Sequence, residues 1–493
     1  MSALKKLFRH TFIYGMATVL PRILGLILTP FYTSLLPESD YGIYISLMVY
    51  MILGNVVLSY GMETAFFRFV NKSERKSEVQ STALTAILIS SIVFFITAML
   101  LRNQVAFWLQ YDELFIVYVI GILFLDALAV IPFAWFRNQE MSIRYSVIKI
   151  LSVVINLGLN LLFFLGIPYL VSSYPDSSLV SMEPANKVHY IFLANIIASF
   201  ITFLILLPLY FRIGVRLDRY LLKKMVKYAY PVLIAGVAFA INEGFDKLLL
   251  RYLLPDSIAE SEVGVYGACY KLGAFMTLFV TAFKLGVEPF FFSHANKKNS
   301  KETYAAITLY FTIFGSLILL FVVVYTDLFK MLMLPDPSYW RALWVVPFIL
   351  LANLCLGIYH NLSVWYKITD KTMYGAVISV IGALITLGIN FMLIPVISFK
   401  GSAIATLAAY GSMMVISYYL GSKKYPIPYD LKKIGIYLGV SVLFSWLSFY
   451  VFDRDLIIGS VLLLVFLALI WVLESKNLRT MIKTRTSTTL KSR

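Results

Sequence analysis

Apolar residues in this 493-residue chain come in runs rather than at alternating positions. Stretches of about 20 apolar residues, the length needed to cross a bilayer as a helix, recur from end to end with short polar segments between them. The pattern predicts fourteen spans, at 11–35, 41–62, 79–101, 114–136, 146–170, 188–211, 228–250, 263–290, 304–326, 341–366, 372–395, 401–421, 434–451 and 456–473. Lys5, Lys6 and Arg9 ahead of the first run imitate a secretory signal. The run is too long for that, and no small-x-small cleavage site follows it. No connecting segment is long enough to fold alone, the longest polar one being 171–187. The expected architecture is an all-α polytopic membrane protein with no soluble catalytic domain.

Composition agrees, with 60% hydrophobic and 14% charged residues; ordinary globular chains run near 25% charged. Cys269 and Cys355 both lie in apolar runs, which excludes a disulfide scaffold, and the four histidines show no metal-ligand spacing. The formal net charge is +16. In a membrane chain such a surplus marks cytoplasmic loops rather than a nucleic-acid partner. When the 42 basic residues are sorted into alternate loops, 31 fall on the side holding the N-terminus, 7 on the other side and 4 within spans. The bias persists to the end of the chain, so the number of spans is even and both termini are expected in the cytoplasm.

Two segments repeat. Pro21 opens one copy, which continues as LLPESDYGIY at 35–44; Pro231 opens the other, which continues as LLPDSIAESEVGVY at 253–266. Six spans separate equivalent points, so both copies enter the membrane in the same direction. That predicts a parallel repeat with the working site between its halves. The expected organisation is a six-helix lobe over 1–211, a cytoplasmic amphipathic linker over 212–227, a second six-helix lobe over 228–425, and two further helices with a basic tail over 426–493. The linker alternates basic and apolar residues at helical spacing, which suits anionic lipid at the cytoplasmic face.

With its opening PRILG…YTSLL, the YGIY that begins span 2 and the GMETAFFRF that leaves it, the chain resembles the polysaccharide-transporter branch of the MOP (multidrug/oligosaccharidyl-lipid/polysaccharide) superfamily. This branch holds the Wzx-type flippases of lipid-linked oligosaccharides for O-antigen, capsule or exopolysaccharide. The resemblance implies a V-shaped cavity between two lobes that opens alternately to either face. It also implies a lipid-linked oligosaccharide as cargo, polysaccharide assembly machinery as partners, and a lipid-tail groove along spans 13–14.

Ionisable residues at bilayer depth are costly and are functional candidates by default. Arg22 lies about 16 Å into span 1 at 1.5 Å per residue. Its guanidinium suits the phosphate oxygens of a polyprenyl-pyrophosphate carrier, and Arg22-Ile-Leu-Gly25 matches the R-x-x-G setting of related flippases. The alternative is an ion pair with Asp126 at similar depth on span 4. On span 7, Glu243 and Lys247 stand at i,i+4 and can satisfy each other, which leaves Asp246 to seek Lys271 on span 8. Lys271 is equally placed as a second phosphate contact. Asp126, Glu243, Asp246 and Lys247 are thus candidates for proton or sodium coupling, or for pairing between lobes. Tyr266 and Tyr270, at i,i+4 beside Lys271, are candidates to contact the sugar. Lys284 with Glu288, and Glu63 with Arg68, are expected as structural pairs near the cytoplasmic edge.

The chain contains no Gly-Lys dipeptide and so no P-loop to cradle ATP, and neither H-E-x-x-H nor G-x-S-x-G occurs. No cofactor is expected. The functional expectation is a non-enzymatic flippase of the bacterial cytoplasmic membrane. The rivals are a peptidoglycan lipid-precursor flippase, a cation-coupled drug exporter of the same superfamily, and a membrane-embedded polysaccharide polymerase or ligase. Arg22 and Lys271 argue for anionic cargo over a cationic drug.

Overall fold

A computed structural model describes residues 19, 23, 25–173, 186–294 and 299–490. Among these residues there is no strand, as expected in a medium without water, where the backbone must satisfy its own hydrogen bonds. We number the helices α1 (Gly25–Leu35), α2 (Glu38–Lys72), α3 (Lys76–Leu100), α4 (Glu113–Asn138), α5 (Ser142–Ser173), α6 (Val188–Ile213) and α7 (Arg219–Leu253). There follow α8 (Asp256–Glu288), α9 (Ser300–Val324), α10 (Pro337–Ile368), α11 (Met373–Ile397), α12 (Phe399–Lys424), α13 (Leu431–Val451) and α14 (Leu456–Ser475). The thirteen from α2 onward are long and apolar enough to cross a membrane, and each occupies one predicted span. Of the first predicted span, only α1 and two isolated positions lie within the described residues.

Aspartates cap several helices at the ends of the bundle. Asp112 accepts from the Leu114 amide at 2.8 Å, and Asp430 from the Lys433 amide at 3.0 Å. Such caps satisfy amides that have no partner within the helix. The end carrying the turns before α2, α4, α8 and α12 is poor in basic residues; the opposite end is rich in them. Within the first six helices α4 packs on α3 and α6, and α5 on α6; within the next six α7 packs on α11, and α12 on α10 and α11. Helices α13 and α14 lie against α9. The two groups meet where α2 packs on α7 and α8.

The connector expected at 212–227 is not a helix of its own. Residues 214–218 form no helix, and Arg219 onward belongs to α7. Two bonds to α3 hold the connector, Thr85 Oγ1 donating to the Arg216 carbonyl at 3.1 Å and the Asp218 amide donating to Thr82 Oγ1 at 3.2 Å. Asp218 then caps α7 through the Tyr220 and Leu221 amides. The basic residues of 219–227 therefore decorate the first turns of a spanning helix.

Several crossing helices are interrupted, among them α2 and α8. In α2 the helix breaks at Tyr60 and Gly61, both left-handed with φ 34° and 72°. A Cβ on Gly61 would sit 2.7 Å from the Ala229 carbonyl of α7, so the break lets two backbones touch. In α8 a 3-10 turn over Lys271–Gly273 separates Asp256–Tyr270 from the rest. Short 3-10 stretches inside helices commonly mark hinges.

Candidate functional site

At the basic-poor end, α2 and α8 lie backbone against backbone. A Cβ on Gly42 would collide with the Glu260 carbonyl, and one on Gly264 with the Glu38 carbonyl. These glycines open the repeated Gly-x-Tyr of the two copies, and each carbonyl lies four residues before the opposite glycine. The repeat seen in sequence is thus a pseudo-symmetric contact in space.

Charge and hydroxyl groups surround this contact. Arg341 of α10 bonds Glu38 of α2 at 2.7 Å, Ser261 at 2.6 Å, and also Glu262 of α8. Ser261 donates to Glu38, and Ser398 donates to Glu262. Beside them Arg251 pairs with Glu260, which also accepts from Tyr111 at 2.9 Å, and the guanidinium stacks 4.1 Å from the Tyr111 ring. Burial, then the Glu260 charge, push the Tyr111 hydroxyl well above its ordinary pKa. Tyr339 donates to the Leu36 carbonyl at 2.8 Å. The two groups of six helices are closed against each other at this end.

Deeper in the bundle, α7 and α8 carry a buried polar cluster. The Lys247 ammonium lies 2.9 Å from Asp246, with side chains 10% and 4% exposed. Tyr266 donates to the other Asp246 oxygen at 2.6 Å. The ammonium also lies 4.0 Å from the Tyr270 ring centroid. Thus Lys247 does not take the i,i+4 partner Glu243, and Asp246 does not wait for Lys271. Aromatic rings from α8 draw the lysine aside, a tertiary effect that helix spacing cannot register. Glu243 instead lies beside the Tyr410 hydroxyl, which donates to the Asn242 carbonyl at 3.1 Å. Asn242 joins α7 to α11 through the Ser379 carbonyl at 3.0 Å and Thr386 at 2.9 Å.

Tyr266 is completely buried, so in this conformation its ring offers no face to a sugar. Tyr270 is partly exposed. Lys271 sits at the 3-10 turn, forms no ion pair among the described residues, and has Lys247 and Glu243 as charged neighbours. Arg22, the other expected phosphate contact, lies outside the described residues.

The remaining charges find partners other than those expected. Glu63 pairs with Arg137 of α4, while Arg68 stacks on Tyr228 at 4.1 Å. Glu288 pairs with Lys367 of α10 at 2.5 Å rather than with Lys284. Asp126 accepts from Ser199 at 3.0 Å and from Asn55 at 3.4 Å, facing a cavity of about 540 Å³ walled by α2, α4, α5 and α6. Lys149 faces the same cavity. Sorting charges into loops places it at a cytoplasmic edge, yet it lies within α5, and its position inside the predicted span 146–170 is the signal that could find it. Arg341, Glu38 and Arg251 give no such signal, because as residues near span ends they look like ordinary surface charge.

The bundle has the fold of solved membrane transporters. Its structure is similar to the lipid II flippase MurJ in an inward closed conformation, with TM-score 0.70 and 14% identity, covering 93% of this chain and 99% of that one. It is also similar to an outward-facing multidrug resistance MATE family transporter of the MOP superfamily, with TM-score 0.56 and 12% identity over 85% and 95% of the two chains. At such identities the likeness shows the fold. The family model described as polysaccharide biosynthesis protein matches residues 7–283, more than half of the chain, and the chain belongs to that family. A comparison with curated proteins returns no match.

Proposed function

We propose that this protein carries a polyprenyl-diphosphate-linked oligosaccharide across the bacterial cytoplasmic membrane by alternating access between its two six-helix lobes, 1–211 and 228–425. The observation that carries the reading is the closed seam where the repeated glycines of α2 and α8 meet, in a chain whose family is that of polysaccharide biosynthesis proteins. A seam of hydrogen bonds and ion pairs between repeat-related helices can open and close as a unit, as a carrier requires. With the basic-rich face in the cytoplasm, the seam is the outer gate and this conformation is shut toward the outside.

Arg22 and Lys271 are assigned to the diphosphate, with Tyr270, the residue preceding Lys271, as a further contact. Support for Lys271 comes from its position at the α8 hinge, where it forms no ion pair among the described residues. Asp126, Glu243 and the Asp246–Lys247 pair are assigned to ion coupling, since a change in their protonation or pairing biases one conformation over another. Anionic lipid at the basic-rich face and the assembly enzymes that supply and consume the glycan are the expected partners.

In a strain lacking this gene, the lipid-linked glycan should accumulate in the inner leaflet, and the wild-type chain should restore surface glycan. Arg22→Ala should abolish that restoration while the protein remains inserted at wild-type abundance. Identifying the accumulated lipid by mass spectrometry decides between this cargo and a peptidoglycan precursor. Normal export by Arg22→Ala would remove Arg22 from the site.

A further inference from the structure

Neither Lys271 nor Tyr270 lines the cavity inside the first six helices, and its chemistry is unlike a lipid groove. It runs from Asp126, halfway along α4, to Arg137 in the last turn of that helix. At the Arg137 end it reaches solvent, with the Glu63 and Arg137 side chains 41% and 34% exposed. Two carboxylates and two cations line it, so its formal charge is zero. Ser59, Ser152 and Tyr145 add hydroxyls, and Phe133 an aromatic ring, with the Lys149 ammonium 4.2 Å from the ring centroid. At about 540 Å³ it falls in the range of pockets that enclose small organic ligands, about 300–1,000 Å³, but such pockets are mostly apolar and this one is not.

Three occupants are disfavoured by the lining. An alkyl chain would leave Asp126 and Lys149 without water at bilayer depth. A metal ion needs a cage of oxygen or nitrogen ligands, and among the described residues no group of three or more His, Cys, Asp or Glu side chains is placed to hold one. A diphosphate would meet the carboxylates of Glu63 and Asp126, with Lys149 the sole lining cation free of an ion pair among the described residues. A polyhydroxylated ring system fits, because each hydroxyl both donates and accepts, and charged partners make the stronger hydrogen bonds.

The geometry points to a glycan subsite: the cavity between α2, α4, α5 and α6 receives sugar residues of the cargo while its diphosphate is held between the lobes. The inference rests on the flippase reading and deepens it: Lys149 selects the sugar together with Asp126, which thereby couples ion binding to cargo recognition.

Both native cysteines are buried, Cys269 at 0% and Cys355 at 6% exposure, so an introduced thiol can be labelled selectively. Ser152→Cys and, independently, Ser59→Cys place a thiol in the cavity wall; Ser422→Cys, exposed at the basic-rich end of α12, is the control. The full chain in lipid nanodiscs is labelled with a maleimide in the presence of two probes. One is the glycan-bearing lipid extracted from the strain lacking this gene, and the other is a polyprenyl diphosphate without sugar. The glycan-bearing lipid should slow labelling several-fold at both cavity positions and not at Ser422→Cys, whereas the sugar-free lipid should leave all rates unchanged. Equal protection by both lipids would assign the cavity to the diphosphate or tail and overturn the inference. So would protection by neither, in a protein whose wild-type form restores export. Failure of the wild-type chain to restore surface glycan is a different result, and would overturn the flippase reading itself.

Discussion

Lys247 is held by three neighbours at once: the Asp246 carboxylate at 2.9 Å and the rings of Tyr270 and Tyr266 at 4.0 and 5.3 Å. An ammonium over an aromatic face gains from the ring quadrupole, more so when desolvated. Removing one partner of a buried ion pair leaves the other charge uncompensated, at a cost of about 3–5 kcal/mol. Lys247→Met should therefore destabilise the protein by about that amount, and Lys247→Met with Asp246→Leu by clearly less. Thermal unfolding of the purified variants in one detergent measures both. Spacing rules alone point to Glu243 as the partner, because they consider one helix at a time. The tyrosines that decide the outcome come from α8, and nothing in the linear order of residues says which way a lysine will turn between two helices.

At the level of elements, the runs of apolar residues are sufficient to locate every described crossing helix, because length and hydropathy are set by the bilayer itself. What they cannot reveal are the interruptions within helices. Tyr60–Gly61 falls at the predicted exit of span 2, so the sequence reads as the end of a helix and not as a break followed by more helix, and its left-handed backbone is required by the approach of Ala229 on another helix. Gly61→Ala would place a methyl group against that carbonyl in a backbone conformation that disfavours side chains, costing about 1–2 kcal/mol for the conformation alone. We expect it to lower the melting temperature and to shift the α2–α7 contact, read as faster proteolysis near residue 61 in the purified protein. The 3-10 turn at Lys271 escapes the sequence because its surroundings are helical in composition on both sides.

For the molecule as a whole, an ion pair between Glu38 and Arg341 bridges the joint between the two groups of helices. Glu38 of α2 is bound by Arg341 and Ser261, both from the second group. A carrier must release these contacts when it opens on this side. Glu38→Cys combined with Ser261→Cys should form a disulfide under mild oxidation, since the helices meet there without intervening side chains. Export by the oxidised protein should stop and should return on reduction, measured in vesicles by access of the glycan to a lectin. Unaltered export in the cross-linked protein would show that the seam does not open. The repeat and the charge bias between loops are both legible in the linear order of residues, and together they imply two equivalent halves. The cavity with Asp126 and Lys149 is not legible there, since its walls come from four helices whose relative rotation the sequence does not state.

The meeting of Gly42 and Gly264 leaves room for hydrogen alone at either position. Tightness at this joint is consequently governed by main-chain atoms, and no pair of compensating side chains can restore it once lost. A saturation library selected for growth dependent on surface glycan should recover glycine at both codons, even where the neighbouring codons drift freely.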